Sequence, residues 1–261
     1  MKIALGIEYD GRGFCGWQTQ VGVRTVQPLI EAALAKIADE PITVSCAGRT
    51  DAGVHATGQV VHFDTGARRP CRAWMLGANV HLPADVAVTW AQEVDAEFHA
   101  RFAATARRYC YVISNREARP GLWSGRITWE PRRLDAVRMA AGARLLLGEH
   151  DFTSFRAKAC QAKHPVRTLH RLDVLRQDDL ILLDVEANAF LQHMVRNLAG
   201  VLLEIGMGRR ESAWAAEVLA ARERTLGGIT APAAGLYLTG VTYPARFGLP
   251  VGEPVPRFQP F

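Results

Sequence analysis

Apolar and polar positions alternate with a period near two from Lys2 to Tyr9, which predicts a strand. The period lengthens between Val26 and Ala38, where VQPLIEAALAKIA reads as an amphipathic helix. Ile42–Ala47 and Val60–Phe63 read as strands on either side of a Gly-rich stretch. A helix near Arg72–Asn79, a strand at Val86–Val94 and a long strand at Thr105–Ser114 complete the first half. In the second half the pattern predicts a helix over Leu134–Leu147, stopped by Gly148, then strands at Thr168–Leu175 and Leu180–Ala187 around the polar turn Gln177–Asp179. A last helix, Phe190–Ile205, gathers Phe190, Leu191, Met194, Val195, Leu198, Val201, Leu202 and Ile205 on one face and leaves His193, Arg196 and Asn197 on the other.

Strands alternating with helices, several of them joined by short polar turns, argue for an α+β fold: a mixed, largely antiparallel sheet with helices on one face. Similar strand–helix–strand order recurs in both halves without a repeat of fixed period. The expected division is an N-terminal half over 1–104, a C-terminal half over 105–243 and an extended proline-rich tail over 244–261.

Composition narrows the classes. The 261 residues are 49% hydrophobic, enough for a substantial core, and 31 basic against 26 acidic side chains give a net charge of +5. That excess suits a polyanionic partner if it is clustered. The five cysteines, Cys15, Cys46, Cys71, Cys110 and Cys160, lack Cys-x-x-Cys spacing and are odd in number, as expected of reduced intracellular thiols. Eight dispersed histidines offer no zinc-binding pattern, so no metal is expected. The first apolar run ends at Glu8, too short for a secretory signal, and no stretch approaches the roughly 18 apolar residues of a membrane span. A cytoplasmic, soluble protein is expected.

The chemistry concentrates between Ala47 and Phe63, AGRTDAGVHATGQVVHF. Gly48 and Gly53 allow positive φ or close approach, while Thr50 and Asp51 can fix a turn by local hydrogen bonds. Such a turn displays one carboxylate, Asp51, beside the planar donor fork of Arg49, which suits phosphates and nucleobases. Taken alone, a Gly-Arg-Thr-Asp is more often a self-capped loop.

The longer string resembles the signature of the TruA family of tRNA pseudouridine synthases, and the match is unbroken from Gly48 to His55. Five further blocks extend the resemblance along nearly the whole chain: DGRGFCGWQ from Asp10, FHARFAATARRYCY from Phe98, DFTSFRA from Asp151, NAFLQHMVRN from Asn188 and GLYL from Gly235. The resemblance implies two similar α+β halves sharing a continuous sheet, with a central RNA-binding cleft. It also implies isomerisation of uridine to pseudouridine at positions 38, 39 and 40 of the tRNA anticodon stem-loop, by a homodimer that uses no cofactor. Asp51 becomes the catalytic carboxylate acting on a flipped nucleotide, by attack on the sugar's anomeric carbon or the base's C6 or by stabilising the sugar while a glycal forms, and Arg196 its ion-pair partner.

By the same resemblance Tyr109 contacts the flipped uracil and relays a proton, Leu236 forms an apolar wall against the base, and Arg49 fills the space the base vacates. Read by pattern alone, Arg196 is a solvated arginine, Tyr109 a packed strand tyrosine and Leu236 a core residue. Cys110 stands where relatives often carry arginine, which places a backbone contact in doubt. His55 and His62 are expected to be structural. Arg101, Arg107 and Arg108, with Arg156, Lys158, Lys163, Arg167 and Arg171, form two basic stretches suited to phosphates, punctuated by Phe102, Tyr109 and Phe155. Two rival readings are a non-catalytic tRNA-binding module and a carboxylate glycosidase. The second needs a further acid several ångströms away, and only one acid sits in a suggestive setting.

Overall fold

The computed structural model describes residues 1–250. In chain order its main elements are β1 (Lys2–Tyr9), α1 (Val26–Ala38), β2 (Ser45–Cys46), β3 (His55–Asp64), α2 (Cys71–His81), β4 (Val86–Val94), β5 (Ala106–Ser114), β6 (Thr128–Trp129), α3 (Ala136–Arg144), β7 (Gly148–Asp151), β8 (Val166–Gln177), β9 (Leu180–Ala187), α4 (Met194–Gly206), α5 (Trp214–Ala221) and β10 (Leu236–Thr242). The mixed, largely antiparallel α+β architecture expected from the sequence is what the chain adopts. Contacts divide it into two compact units, residues 1–106 together with the segment from Tyr237 onward, and Arg107–Leu236.

In the first unit β1 runs antiparallel to both β3 and β4, and β10 adds to β3 in parallel, with Tyr237 opposite His55. Ile3 pairs with Phe63, whose ring meets Trp74 of α2 edge-on at 5.2 Å, so this face is covered by helices. The opposite face is covered without a helix. Ala4, Ala47 and Val60 pack there with Phe98, Ala100 and Phe247, which explains why β1 is buried on both sides. Phe247 belongs to a short 3-10 turn, Ala245–Phe247, so the described start of the tail folds into a core where the sequence suggested an extended run. The rest of the proline-rich segment lies outside the described residues.

In the second unit β9 lies between β5 and β8, antiparallel to each, β7 follows β8, and β6 joins β5 in parallel. Burial surrounds α4 almost completely, Met194 through Leu203 included apart from Arg196. The face on which pattern alone gathers His193, Arg196 and Asn197 is thus covered at Asn197 rather than open to solvent. Asn197 is 2% exposed; its amide donates to the Phe155 carbonyl at 2.7 Å, and its oxygen accepts from Arg224 at 3.0 Å and Thr230 at 2.7 Å. Gly200 permits this covering, since a Cβ there would strike the Ile229 carbonyl.

Three element boundaries moved for local reasons. The helix expected from Phe190 begins at Met194 because His193 takes a left-handed φ of +63°, leaving Phe190 and Leu191 in the irregular segment before it. Pairing of the strand expected over Ile42–Ala47 shrinks to Ser45–Cys46, because the Val44 amide is taken by the Glu31 carboxylate at 3.0 Å. Asp135 caps α3 by accepting from the Val137 and Arg138 amides, so that helix starts two residues after Leu134.

Candidate active site

Asp51 stands on a tight turn closed by a hydrogen bond from the Val54 amide to the Asp51 carbonyl at 3.2 Å, with Gly53 at φ +76°. Positive φ at the third position of such a turn is what glycine supplies at least strain. Asp51 is half-buried and Arg49 exposed, so both are displayed rather than packed away.

The turn is clamped along its length. At its start the buried amide of Gln59 brackets Gly48, donating to its carbonyl at 2.6 Å and accepting from its amide at 3.4 Å. One residue before Asp51, the Thr50 hydroxyl shares a buried 2.7 Å hydrogen bond with the Tyr9 phenol, and the Thr50 carbonyl accepts from the Trp17 amide at 3.0 Å. Beyond Asp51, the Gly53 amide donates to the Phe14 carbonyl at 3.2 Å. The block Asp10–Gln18 therefore forms the loop's other wall. Its glycines are what allow it: a Cβ on Gly11 would collide with the Val54 carbonyl, and one on Gly16, at φ +97°, would lie 2.7 Å from the Thr50 carbonyl.

His55 is structural in this arrangement, as expected. Its Nδ1 accepts the Gly11 amide at 3.0 Å and its ring stacks on Tyr237 with centroids 4.6 Å apart. Asp10 lies 3.3 Å from the same nitrogen. Burial alone would raise the Asp10 pKa, but the Arg12 guanidinium and amide that bind its carboxylate hold it at about 2. His62 is likewise part of the core, its Nδ1 accepting from the Ala100 amide at 3.1 Å.

Tyr109, Arg196 and Leu236 belong to the second unit. Tyr109 lies on β5, 8% exposed, its ring edge-on to Phe190 at 5.1 Å. Tyr111 lies two residues along the same strand face: its hydroxyl meets Thr128 Oγ1 at 2.7 Å and donates to the Pro232 carbonyl at 2.9 Å. Burial raises the Tyr111 pKa far above the usual phenol range, against the opposing influence of Thr128 and of the Arg196 charge. Arg196 itself donates through Nε to the Ala231 carbonyl at 2.7 Å, and the Ala231 amide returns to the Arg196 carbonyl at 3.1 Å. Leu236, 6% exposed, begins β10 directly after Gly235, whose missing side chain makes room for Thr128 and the Tyr111 ring. Thus the second unit gathers Arg196, Tyr111 and the approach to Leu236 around one short segment, residues 231–236.

The basic stretches are only partly available to an external anion. Arg108 forms a bidentate pair with Asp184, Arg171 binds Asp173 at 2.8 Å, and Arg107 donates to the Asn188 carbonyl. Arg156 donates to the Cys160 and Ala162 carbonyls, and Arg167 to those of His164 and Val166, so both stitch their own loop. Arg101, Lys158 and Lys163 remain exposed. Cys110 is fully buried opposite Asp184, and desolvation pushes its thiol up to about 12.

Sequence reading missed Tyr9, Gln59, Asn197 and Arg224 as site supports. Gln59 did carry a signal, a polar residue inside an otherwise apolar strand. Among the described residues no cluster of His, Cys, Asp or Glu is suited to a metal ion, and no helix is long and apolar enough to cross a membrane.

A family model described as tRNA pseudouridine synthase matches residues 6–103 and 143–244. The chain is 57% identical over 250 residues to the tRNA pseudouridine synthase A of Nitrosococcus oceani, covering 96% of each protein. Similarity to the same enzyme of Legionella pneumophila strain Corby is 54% over 258 residues, with 99% of this chain and 98% of the relative covered. For that of Pseudomonas aeruginosa it is 56% over 258 residues, covering 98% and 90%.

Proposed function

The chain belongs to the tRNA pseudouridine synthase family, and from that membership we propose that it isomerises uridine to pseudouridine at positions 38, 39 and 40 of the tRNA anticodon stem-loop. The reaction breaks the bond from ribose to uracil N1, turns the base and rejoins it through C5. Every atom is conserved, so the reading calls for no cofactor. The protein supplies position and charge.

Asp51 is the proposed catalytic carboxylate, a nucleophile toward the sugar's anomeric carbon or the base's C6, or a stabiliser of the sugar while a glycal forms. Its ionised form is required, and Arg196 is assigned as the counter-charge that keeps it so, a pairing that typically lowers a carboxyl pKa by about 1 to 3 units. Tyr109 is assigned to the uracil as contact and proton relay, Leu236 as apolar wall, and Arg49 as the residue that takes the place of the flipped base, its guanidinium plane suited to stacking. Flipping costs a few kcal/mol and is least costly in loops and weak pairs. A cytoplasmic homodimer working on tRNA completes the reading.

The clamp on the Asp51 turn carries this proposal: four separate contacts, from Gln59, Tyr9, Trp17 and Phe14, fix the backbone around one displayed carboxylate. Rigid display of a single acid suits a nucleophile better than a general surface charge.

The test is incubation of the wild type and Asp51→Asn with an unmodified tRNA transcript, mapping pseudouridine by carbodiimide-dependent primer extension. Product at 38–40 from the wild type and none from a normally folded, tRNA-binding Asp51→Asn supports the reading. Tight binding without product from the wild type would favour a non-catalytic tRNA-binding module.

A further inference from the structure

Phe102 is 75% exposed on the turn after β4, yet it is firmly supported. His99 organises that turn: its Nδ1 accepts the amides of Arg101 at 3.1 Å and Phe102 at 3.3 Å, and its carbonyl accepts the Ala103 amide at 2.9 Å. The imidazole also packs on the exposed ring, with centroids 4.3 Å apart, and lies 4.6 Å from His62 on its inner side. Three rings therefore run from core to surface. The Arg101 guanidinium carbon lies 5.5 Å from the Phe102 centroid.

This turn is rooted at the Asp51 loop. Phe98 and Ala100, both fully buried, pack in one cluster with Ala47, where the loop leaves the sheet, and with Val60 of β3, whose carbonyl accepts the Ala47 amide at 2.8 Å. Arg49 and Arg101 both lie near enough to the Cys46 thiol for their charges to oppose the burial that raises it. Holding an aromatic ring in water forgoes its burial, about 2 kcal/mol for a phenylalanine, and here three backbone hydrogen bonds keep it there.

We infer that Phe102 is a stacking platform for an unpaired nucleobase of the tRNA, with Arg101 binding the adjoining phosphate, so that the nucleotide next to the target is held while the target is flipped. This rests on the tRNA substrate proposed above. A fixed ring beside the Arg101 guanidinium matches a polyanion carrying flat bases better than it matches an apolar protein surface. Every base has a stacking face, so the platform restrains position without reading sequence.

The experiment uses the full chain, unmodified tRNA transcripts, and a series in which each anticodon-loop nucleotide is made abasic in turn. Phe102→Ala should weaken binding roughly tenfold, Phe102→Trp should restore it, and one abasic tRNA should bind the wild type and Phe102→Ala equally. Arg101→Gln should reduce the salt dependence of binding by about one counterion, whereas Phe102→Ala should leave that slope unchanged. Binding by Phe102→Ala within twofold of wild type on every transcript overturns the inference. So does a shift in the monomer–dimer equilibrium with unaltered tRNA affinity, which would make the ring a subunit contact. A wild type that binds tRNA but makes no pseudouridine would instead fail the enzymatic reading and leave the stacking result to be judged on affinity alone.

Discussion

Arg196 and Tyr111 hang from consecutive carbonyls: the guanidinium Nε donates to Ala231 at 2.7 Å and the phenol to Pro232 at 2.9 Å. Neither anchor is local in sequence. Both depend on the segment after α5 being fastened along α4, where Arg224 reaches Asn197 and the Gly228 carbonyl and Thr230 reaches Asn197. The orientation of the proposed counter-charge is thus set by a peptide strap laid over a helix.

Arg196→Lys is expected to separate charge from orientation. Lysine keeps the positive charge but has no secondary nitrogen to hold Ala231, so kcat should fall on the order of 100-fold while the denaturation midpoint moves little. Single-turnover kinetics with saturating enzyme, set beside urea unfolding, checks it; a variant within threefold of wild-type kcat would show that charge alone suffices.

Tyr111→Phe should behave in the opposite way. It leaves the Thr128 hydroxyl and the Pro232 carbonyl without a buried partner, at a cost of about 1–3 kcal/mol in stability. Chemical denaturation should register the loss directly, with turnover at saturating tRNA falling less than in Arg196→Lys.

The 2.7 Å contact between Tyr9 and Thr50 offers a cleaner measurement, because it sits one residue from Asp51. Tyr9→Phe takes this partner from the buried Thr50 hydroxyl and Thr50→Val takes it from the Tyr9 phenol, whereas the double variant removes both hydroxyls. Each single change should cost about 1–3 kcal/mol, and the double change less than their sum. A strictly additive cycle would mean that the two hydroxyls do not cooperate in holding the loop.

Gly53, at φ +76°, predicts a graded series. Asparagine tolerates the left-handed region, alanine costs roughly 1–2 kcal/mol and a β-branched valine more. Activity and melting temperature should therefore decline in the order Gly53→Asn, Gly53→Ala, Gly53→Val. Full activity in the valine variant would mean the turn can be rebuilt without its glycine.

Much of this architecture was legible in the chain. The alternation of Lys2–Tyr9 and the period of Val26–Ala38 correspond to β1 and α1 with identical bounds. The Asp51 loop was legible from its glycines and its match to the family signature. Its clamp was not, because the contacts of Tyr9, Phe14 and Trp17 with residues 50–53 join positions more than thirty apart and leave no local periodicity. Asn197 misled for a related reason: polarity on a helix face signals solvent unless another segment covers it, and the small Gly200 was the only local hint of that covering. Ala-rich α5 has little contrast between its faces, so no period announced it. The charge of the basic stretches was plain, but their internal use, as in Arg156 and Arg167 binding loop carbonyls, depends on the folded path of residues 156–167.

His62 carries the last prediction, a pH dependence with a defined sign. Burial, with the nearby His99 and the Lys2 charge, lowers its pKa to about 4, while Asp64 and the Ser45 backbone act the other way. In the unfolded chain an imidazole titrates near 6.5. Between those values the unfolded state binds the extra proton, so stability is fully present above about pH 6.5 and is lost as pH falls toward 4. The 2.5-unit gap between 6.5 and 4, at about 1.4 kcal/mol per unit, caps the loss at roughly 3.5 kcal/mol. Its structural route is specific: Nδ1 accepts the Ala100 amide, and a proton there would oppose that donor and loosen the turn carrying Arg101 and Phe102. His62→Gln, which keeps an acceptor without an ionisable group, should flatten the pH 4–6.5 segment of the unfolding free energy measured in urea. An unchanged slope in that variant would assign the acid sensitivity to other groups.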